Sequence, residues 1–361
     1  MAGPERYEND AAREFVARSL SRARLESATV RAHAQIRYVP LAFELSEGCR
    51  MHCPFCGLDA PHWRRDAPYE REAWRAIVAA GKGRLGPVSD QAPLYFATEP
   101  LDHPAYEDFL RDVAETSEHI PQTTTAAPER DIGRTRRLMC WLGTRRLVLE
   151  GRLRFSIRTL AQFRRVIGAF DAEELAGVEL LVNNPESINP VSDSGRARTD
   201  DAFDSRRHVR YSISCLAGGL VRLWDRSLSF VEPLTPSERH PLGYRVHETL
   251  SFATADDLAE EIWQLFARHG GAIPDANRRL RMGHEIRVAA HGGQLMLLGD
   301  GAGFGISRNL YTATRVGLLS SDSSGLTLQE IEERVAPDGR TAQDMRTLVR
   351  TLYQKGYIEY V

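Results

Sequence analysis

Between Glu44 and Gly57 the chain carries three cysteines, Cys49, Cys53 and Cys56, spaced C-x3-C-x2-C directly after an apolar, strand-like stretch. Thiolates this close on one loop can wrap a single inorganic centre, and soft sulfur ligands select iron–sulfur clusters, zinc or cuprous copper. The count of three is informative. A structural zinc site is closed by four ligands. Here no fourth cysteine or matched histidine pair lies nearby, and His52, between the cysteines, has no partner at zinc-finger spacing. A 4Fe–4S cluster held by three cysteines keeps one iron open to a substrate or cofactor.

With Phe55 just before the last cysteine, this loop resembles the radical S-adenosylmethionine (SAM) superfamily. The resemblance implies that Cys49, Cys53 and Cys56 hold a 4Fe–4S cluster whose open iron chelates SAM. An electron from a donor such as flavodoxin or ferredoxin then cleaves SAM to a 5′-deoxyadenosyl radical. Where the family usually carries Gly-Gly-Glu-Pro, this chain has Ala97, Thr98, Glu99 and Pro100. Glu99 therefore maps onto the carboxylate that holds the SAM ammonium, with both glycines replaced. By the same resemblance, Thr124 in the Thr123–Thr125 run lies near SAM, and Ser156 and Arg158 meet its ribose and carboxylate. Arginine suits that task because its planar fork pairs with a carboxylate bidentately. Asn183, at the next strand end, is a further candidate.

The elements that must position these residues alternate between two periodicities. Apolar residues at helical spacing predict helices over 7–34, 71–81, 106–117, 134–142 and 160–170, and strands over 38–45, 93–97, 120–126, 152–157 and 177–183. Strands alternating with helices of this length argue for βαβ units and a parallel sheet, in which chemistry gathers at the C-terminal strand ends. The cysteine loop lies at such an end. The expected fold class is α/β: a partial (β/α) TIM-like barrel of the radical SAM type over 36–215, after an N-terminal helical extension over 1–35.

Residues 184–208 are polar and read as a loop or lid, with Ser194 to Arg198 an anion site or a solvated turn. A β-like stretch and an amphipathic helix over 255–269 form a substrate-covering α+β extension over 216–285. In the last segment, 286–361, two strand-like runs flank the hairpin signal His291-Gly292-Gly293. Helices over 310–319, 327–335 and 341–355 follow, with Thr327/Glu330 and Thr341/Asp344 at capping-box spacing, before a terminal strand. That order resembles a winged helix. The glycines at 299, 301, 303 and 305 lack the strand–glycine–helix context of a phosphate loop and read as a flexible turn.

Composition narrows the class. The 361 residues are 42% hydrophobic and 27% charged with a formal net charge of -2, an ordinary globular balance with no global case for a nucleic-acid or membrane surface. Five cysteines, three of them clustered, do not make a disulfide framework. No apolar run approaches the roughly 20 residues of a membrane span, and the N-terminus lacks a signal peptide's apolar core. A cytoplasmic protein is expected.

Two cysteines remain. Cys140 sits among Leu138, Met139, Trp141 and Leu142 and reads as a plain buried residue. Cys215 ends a strand and faces the expected barrel mouth, where a thiol can donate a hydrogen atom to a substrate radical. The block from Cys215 to Tyr244 resembles the radical SAM maturases of ribosomally made peptides, especially the amino-acid epimerases, which implies Cys215 as the hydrogen donor. Such maturases often use a winged-helix-like module to catch a precursor peptide at a sheet edge. Against DNA binding, the helix over 341–355 mixes Arg346, Arg350 and Lys355 with Asp344. The expectation is a peptide epimerase. Crosslinking, methylation or another C–H modification, or a small-molecule substrate, are the alternatives within the superfamily. A zinc-containing winged-helix regulator is the alternative from another class.

Overall fold

The computed structural model describes residues 7–26, 37–117, 119–144, 153–184, 187, 189, 191–199, 208–209, 215–271, 277–283, 286–291, 294–298, 303–307, 324–335 and 339–361. The chain is mixed α/β and divides into two compact units, one of residues 1–9 with 39–264, the other of 10–38 with 265–361.

In the second unit, helix α1 covers Asp10–Glu26, shorter than the expected 7–34, of which 27–34 lie outside the described residues. In the first unit, strand β1 (Val39–Glu44) buries five of its six side chains. Such a nearly continuous apolar run suits a strand covered on both faces. Its ladder is irregular between Val39 and Leu41, where Pro40 has no N–H to give. Short strands β2 (Ser46–Glu47) and β3 (Arg65–Asp66) pair antiparallel and close the base of the cysteine loop.

Helix α2 (Arg71–Leu85) then packs Trp74 edge-on against Phe43 of β1 at 4.9 Å. The expected strand over 93–97 does not form. Its backbone lies beside β1, with the Phe43 N–H donating to Pro93 C=O at 2.8 Å and the Phe96 N–H donating to Phe43 C=O at 3.1 Å. Pro93 cannot donate, and the chain then turns away through Ala97, held at φ +53°.

Helix α3 (Tyr106–Thr116) leads to β4 (Thr123–Thr125), α4 (Ile132–Thr144), β5 (Leu153–Ile157), α5 (Leu160–Ala169), the one-turn α6 (Ala172–Leu175) and β6 (Val178–Val182). Thr159 caps α5, and Asp171 with Glu174 makes a capping box on α6. Strands β4, β5 and β6 form a three-stranded parallel sheet. In the middle strand β5, Leu153, Phe155 and Ile157 are fully buried.

The short β7 (Val191–Ser192), α7 (Gly195–Thr199) and β8 (His208–Val209) precede β9 (Leu216–Arg222), β10 (Ser227–Pro233), β11 (Tyr244–Ser251) and α8 (Ala255–His269). Strand β9 pairs parallel with β1, and β10 and β11 extend that sheet antiparallel in the order β1-β9-β10-β11. Among the described residues of this unit the longer strands fall into two sheets, and a single partial barrel is not shown. The residues 93–99 bridge them, through a Tyr95 Oη–Thr124 Oγ1 hydrogen bond of 3.0 Å and through Glu99.

In the other unit, β12 (Leu280–Met282) pairs with the terminal β16 (Ile358–Tyr360). Strands β13 (Arg287–His291), β14 (Gln294–Leu298) and β15 (Gly303–Ser307) form an antiparallel sheet with His291 opposite Gln294, as the hairpin signal predicts. Helix α9 (Leu328–Val335) begins with the expected capping box of Thr327 and Glu330, whereas α10 (Gly339–Gln354) starts ahead of Thr341. The expected helix over 310–319 lies outside the described residues. Leu280, Leu326, Ile331, Met345, Val349 and Leu352 make a fully buried core. No helix among the described residues is long and apolar enough to cross a membrane.

Candidate functional site

The cysteine loop leaves the C-terminal end of β1 through Gly48, at φ +84°. A Cβ there would lie 2.4 Å from the His62 carbonyl oxygen, so the two arms of the loop approach as only glycine allows. Backbone bonds shape the rest: Cys49 N–H to Pro61 C=O at 2.8 Å and Cys56 N–H to Cys53 C=O at 3.1 Å. All three cysteines are half-buried, and Met51 N–H donates to the Cys49 sulfur at 3.4 Å. Burial pushes the Cys49 thiol up to about 11 and the Cys53 thiol up to about 12. Both are therefore neutral near pH 7, and a bound metal must displace their protons. Each thiol also lies within the electrostatic field of its neighbours on the loop.

Among the described residues no three His, Cys, Asp or Glu side chains are already arranged around a metal position. The donor chemistry nonetheless suits a thiophilic centre: three clustered soft ligands with a cation close by. That cation is Arg158, at the end of β5. Its Nη1 donates to Met51 C=O at 3.4 Å, its charge acts on the Cys53 thiol, and its Nε is buried without a hydrogen-bond partner among the described residues. A buried guanidinium donor left unpaired is costly unless a ligand completes it.

Glu99 is 3% exposed and fully engaged on one oxygen. Thr125 Oγ1 donates to its Oε1 at 2.5 Å, Leu101 N–H to the same oxygen at 3.2 Å, and Ala126 N–H to Oε2 at 2.7 Å. These bonds tie the Ala97–Asp102 turn to the end of β4. Burial outweighs them and raises the carboxyl to about 7. A carboxylate offers about four acceptor positions, so Oε2 retains room for one more donor.

Because side chains alternate along a strand, Thr124 faces away from Thr123 and Thr125. It lies in register with Arg154 of β5 and Glu179 of β6. Arg154 Nε donates to Glu179 Oε2 at 2.9 Å. This charged row escaped the sequence reading. Its signal is the presence of Arg154 and Glu179 in parallel strands, which are otherwise near-continuously apolar. Ser156 and Asn183 are buried, and Asn183 N–H continues the ladder to Ile157 C=O at 2.8 Å.

Cys215 keeps a solvent-exposed surface in the left-handed region at φ +54°, with its C=O accepting from Val39 N–H at 3.0 Å. Protein packed around it raises its thiol, and nearby Arg154 opposes that rise. Tyr95, raised by burial to about 12, lies within the field of both Cys215 and Arg154. The structure thus brings Tyr95, Thr124, Arg154, Glu179 and Cys215 to one polar face, and Arg158 to the cysteine loop. Cys140, expected to be buried, is exposed, while Leu138, Met139 and Leu142 of the same helix are buried.

A second buried carboxyl, Glu44, ends β1. It accepts from Arg222 Nε at 2.9 Å, and Arg222 Nη1 donates to Ser229 Oγ at 2.6 Å. Burial raises Glu44 to about 7 against the pull of Arg222.

No protein-family model matches the chain. It is 33% identical over 338 residues to y4wI, an uncharacterized protein of Sinorhizobium fredii (strain NBRC 101917 / NGR234), a match that covers 88% of this chain. The chain spans 63% of the length of that curated relative. Among solved structures, BtrN in complex with AdoMet and 2-DOIA aligns with a TM-score of 0.35 at 14% identity, covering 53% of this chain and 72% of that one.

Proposed function

We propose that this chain is a radical SAM enzyme acting on a residue of a ribosomally made precursor peptide, with epimerisation as its reaction. The observation that carries the reading is the C-x3-C-x2-C loop delivered by β1 with the unpaired Nε of Arg158 beside it. Cys49, Cys53 and Cys56 would hold a 4Fe–4S cluster. When bound, cluster and SAM would together supply a 5′-deoxyadenosyl radical able to abstract hydrogen.

The chain's own residues have separable tasks in this reading. Arg158 offers its free donor to a carboxylate. Glu99 offers its remaining acceptor position to an ammonium, and its bonds to Thr125 and Ala126 hold it still. Thr124, Ser156 and Asn183 supply polar groups along the strand ends. Cys215, accessible and within the field of Arg154 and near Tyr95, would return a hydrogen atom to a substrate carbon. Epimerisation breaks the thiol S–H bond and forms the new C–H bond, and an electron from the same flavodoxin or ferredoxin with a solvent proton would restore the thiol from the thiyl radical left behind, whereas crosslinking or desaturation needs an electron acceptor. The terminal segment over 286–361 would capture the peptide leader, and flavodoxin or ferredoxin would supply the electron in a cytoplasmic setting.

The test is anaerobic reconstitution with iron and sulfide. The unsubstituted protein should hold about four irons and convert SAM to 5′-deoxyadenosine, and the triple Cys49→Ala, Cys53→Ala, Cys56→Ala variant should do neither. A zinc-loaded chain without labile sulfide overturns the reading. With peptide in deuterated water, incorporation of one deuterium at an α-carbon, lost in Cys215→Ala, supports epimerisation. A loss of two hydrogens or the gain of a methyl group points to crosslinking or methylation instead.

A further inference from the structure

The tip of the cysteine loop is held from outside by one short segment, residues 191–199, that local sequence gives no reason to place there. Arg196 N–H donates to Cys56 C=O at 2.9 Å. Its guanidinium reaches further, with Nη1 to Cys53 C=O at 3.1 Å and Nη2 to Ala60 C=O at 3.0 Å. The same Nη2 lies 3.0 Å from Asp59 Oδ1. Next to it, Gly195 stands at φ +57°, donates its N–H to Pro241 C=O at 2.7 Å, and passes so close that a Cβ would meet the Cys56 oxygen at 2.6 Å. Phe55, between the second and third cysteines, packs on Val191 and Ala197.

We infer that Arg196 is the positioning residue of the cysteine loop: by fastening the carbonyls of Cys53 and Cys56 it holds two of the three thiols in reach of a shared metal. This inference rests on the metal-binding part of the proposed function. The carbonyls of Cys53, Cys56 and Ala60 span the whole second half of the loop. One side chain that engages two of them, together with its own N–H to the third, removes the freedom of that half to swing away from Cys49. A planar guanidinium can bridge two carbonyls and a carboxylate at once, and an ammonium on a single stem cannot. The reading of Ser194 to Arg198 as an anion site gives way, for Arg196, to a role inside the protein. Arg198, on the same short helix, has no such contacts among the described residues and serves as the control.

Cobalt(II) titration of the full reduced chain under anaerobic conditions tests this without relying on cluster assembly or turnover, because thiolate-to-cobalt charge-transfer absorption reports directly on sulfur ligation. Arg196→Ala should weaken cobalt binding at least tenfold and reduce the charge-transfer intensity per bound metal. Arg196→Lys, the variant expected to keep the fold, should recover only part of the affinity, and Arg198→Ala should match the unsubstituted chain. Far-UV circular dichroism identical to that of the unsubstituted chain at the titration temperature certifies each variant, and Arg196→Lys decides the matter if Arg196→Ala does not fold. Unsubstituted affinity and spectrum in Arg196→Ala, or complete recovery in Arg196→Lys, overturns the role. So does an unsubstituted chain without any thiolate-to-cobalt absorption. Thiolate ligation that depends on Arg196 in a chain that neither assembles a cluster nor cleaves SAM would uphold this inference and sink the proposed function alone.

Discussion

Glu44 and Glu99 are both buried glutamates raised to about 7, and both stand where β1 or its neighbouring turn meets the cysteine loop region. Their partners differ. Glu44 faces a guanidinium, Arg222, which itself is anchored on Ser229. Glu99 is held by a hydroxyl and two backbone N–H groups, with no cation in bonding contact among the described residues. The first carboxylate has its counter-charge built in. The second has its geometry fixed but its charge uncompensated, and so is the one suited to receive a cationic ligand group. Burial alone does not distinguish the two; the identity of the donors does.

The strongest test of that contrast is to remove the built-in pair. Glu44→Ala leaves Arg222, mostly buried, without its carboxylate, and losing one partner of a buried pair costs about 3–5 kcal/mol. Chemical denaturation of the variant should show a loss at the lower end of that range, because Arg222 retains Ser229. A loss below about 1 kcal/mol, the scale of an exposed pair, would put Glu44 in the same class as a surface glutamate.

Titration gives the next largest effect. Each carboxyl rises from 4.5 to about 7 on folding, so between those values the folded chain holds more protons than the unfolded one. Stability then falls as pH rises through that window, by up to roughly 3 kcal/mol for each group at the standard 1.36 kcal/mol per unit. Denaturation midpoints measured from pH 4.5 to 7.5 should decline, and Glu44→Gln and Glu99→Gln should each flatten the slope. A midpoint that climbs over this window contradicts the burial of both groups.

Thr125→Val is a smaller cut on the Glu99 side alone. It deletes the hydroxyl that donates to Glu99 and that accepts from Ala127 N–H at 3.0 Å. Hydrogen bonds to charged groups contribute about 1.5–3 kcal/mol, so a loss of about 2 kcal/mol is expected. The Glu99 carboxyl should rise further, because that hydroxyl pulls it down. An unchanged pH profile would mean that Ala126 and Leu101 suffice to hold it.

How far these features could be read from the chain depends on the distance over which each is encoded. The cysteine spacing and the Ala97–Pro100 turn are local, and their residues could be singled out before any fold was known. So could the helices, whose periodicity is repeated over several turns. The strand expected over 93–97 failed because its apolar content outweighed Pro93, which cannot donate to a ladder. Cys140 was placed inside because its neighbours are apolar. One residue turns a helix by about 100°, however, which puts Cys140 opposite Leu138 and Leu142. The grip of Arg196 on Cys53 joins residues far apart in sequence through backbone carbonyls, and carbonyls carry no sequence signature.

The smallest expected effect concerns the row on the open face of β4 to β6. Arg154 and Glu179 pair at 2.9 Å with side chains 30% and 45% exposed. Pairs so exposed contribute about 0–1 kcal/mol, so Arg154→Ala should leave the denaturation midpoint almost where it was. A fold does not need two charges there, since an apolar pair in two parallel strands would pack at least as well. If the row serves the reaction through Cys215 and Tyr95, which lie within the field of Arg154, the same substitution should alter deuterium incorporation while SAM cleavage without peptide is unchanged. A drop in stability well beyond 1 kcal/mol, with incorporation intact, would make the pair a structural clasp between strands, and the contrast between a charge already answered and a charge kept open would then rest on Glu44 and Glu99 alone.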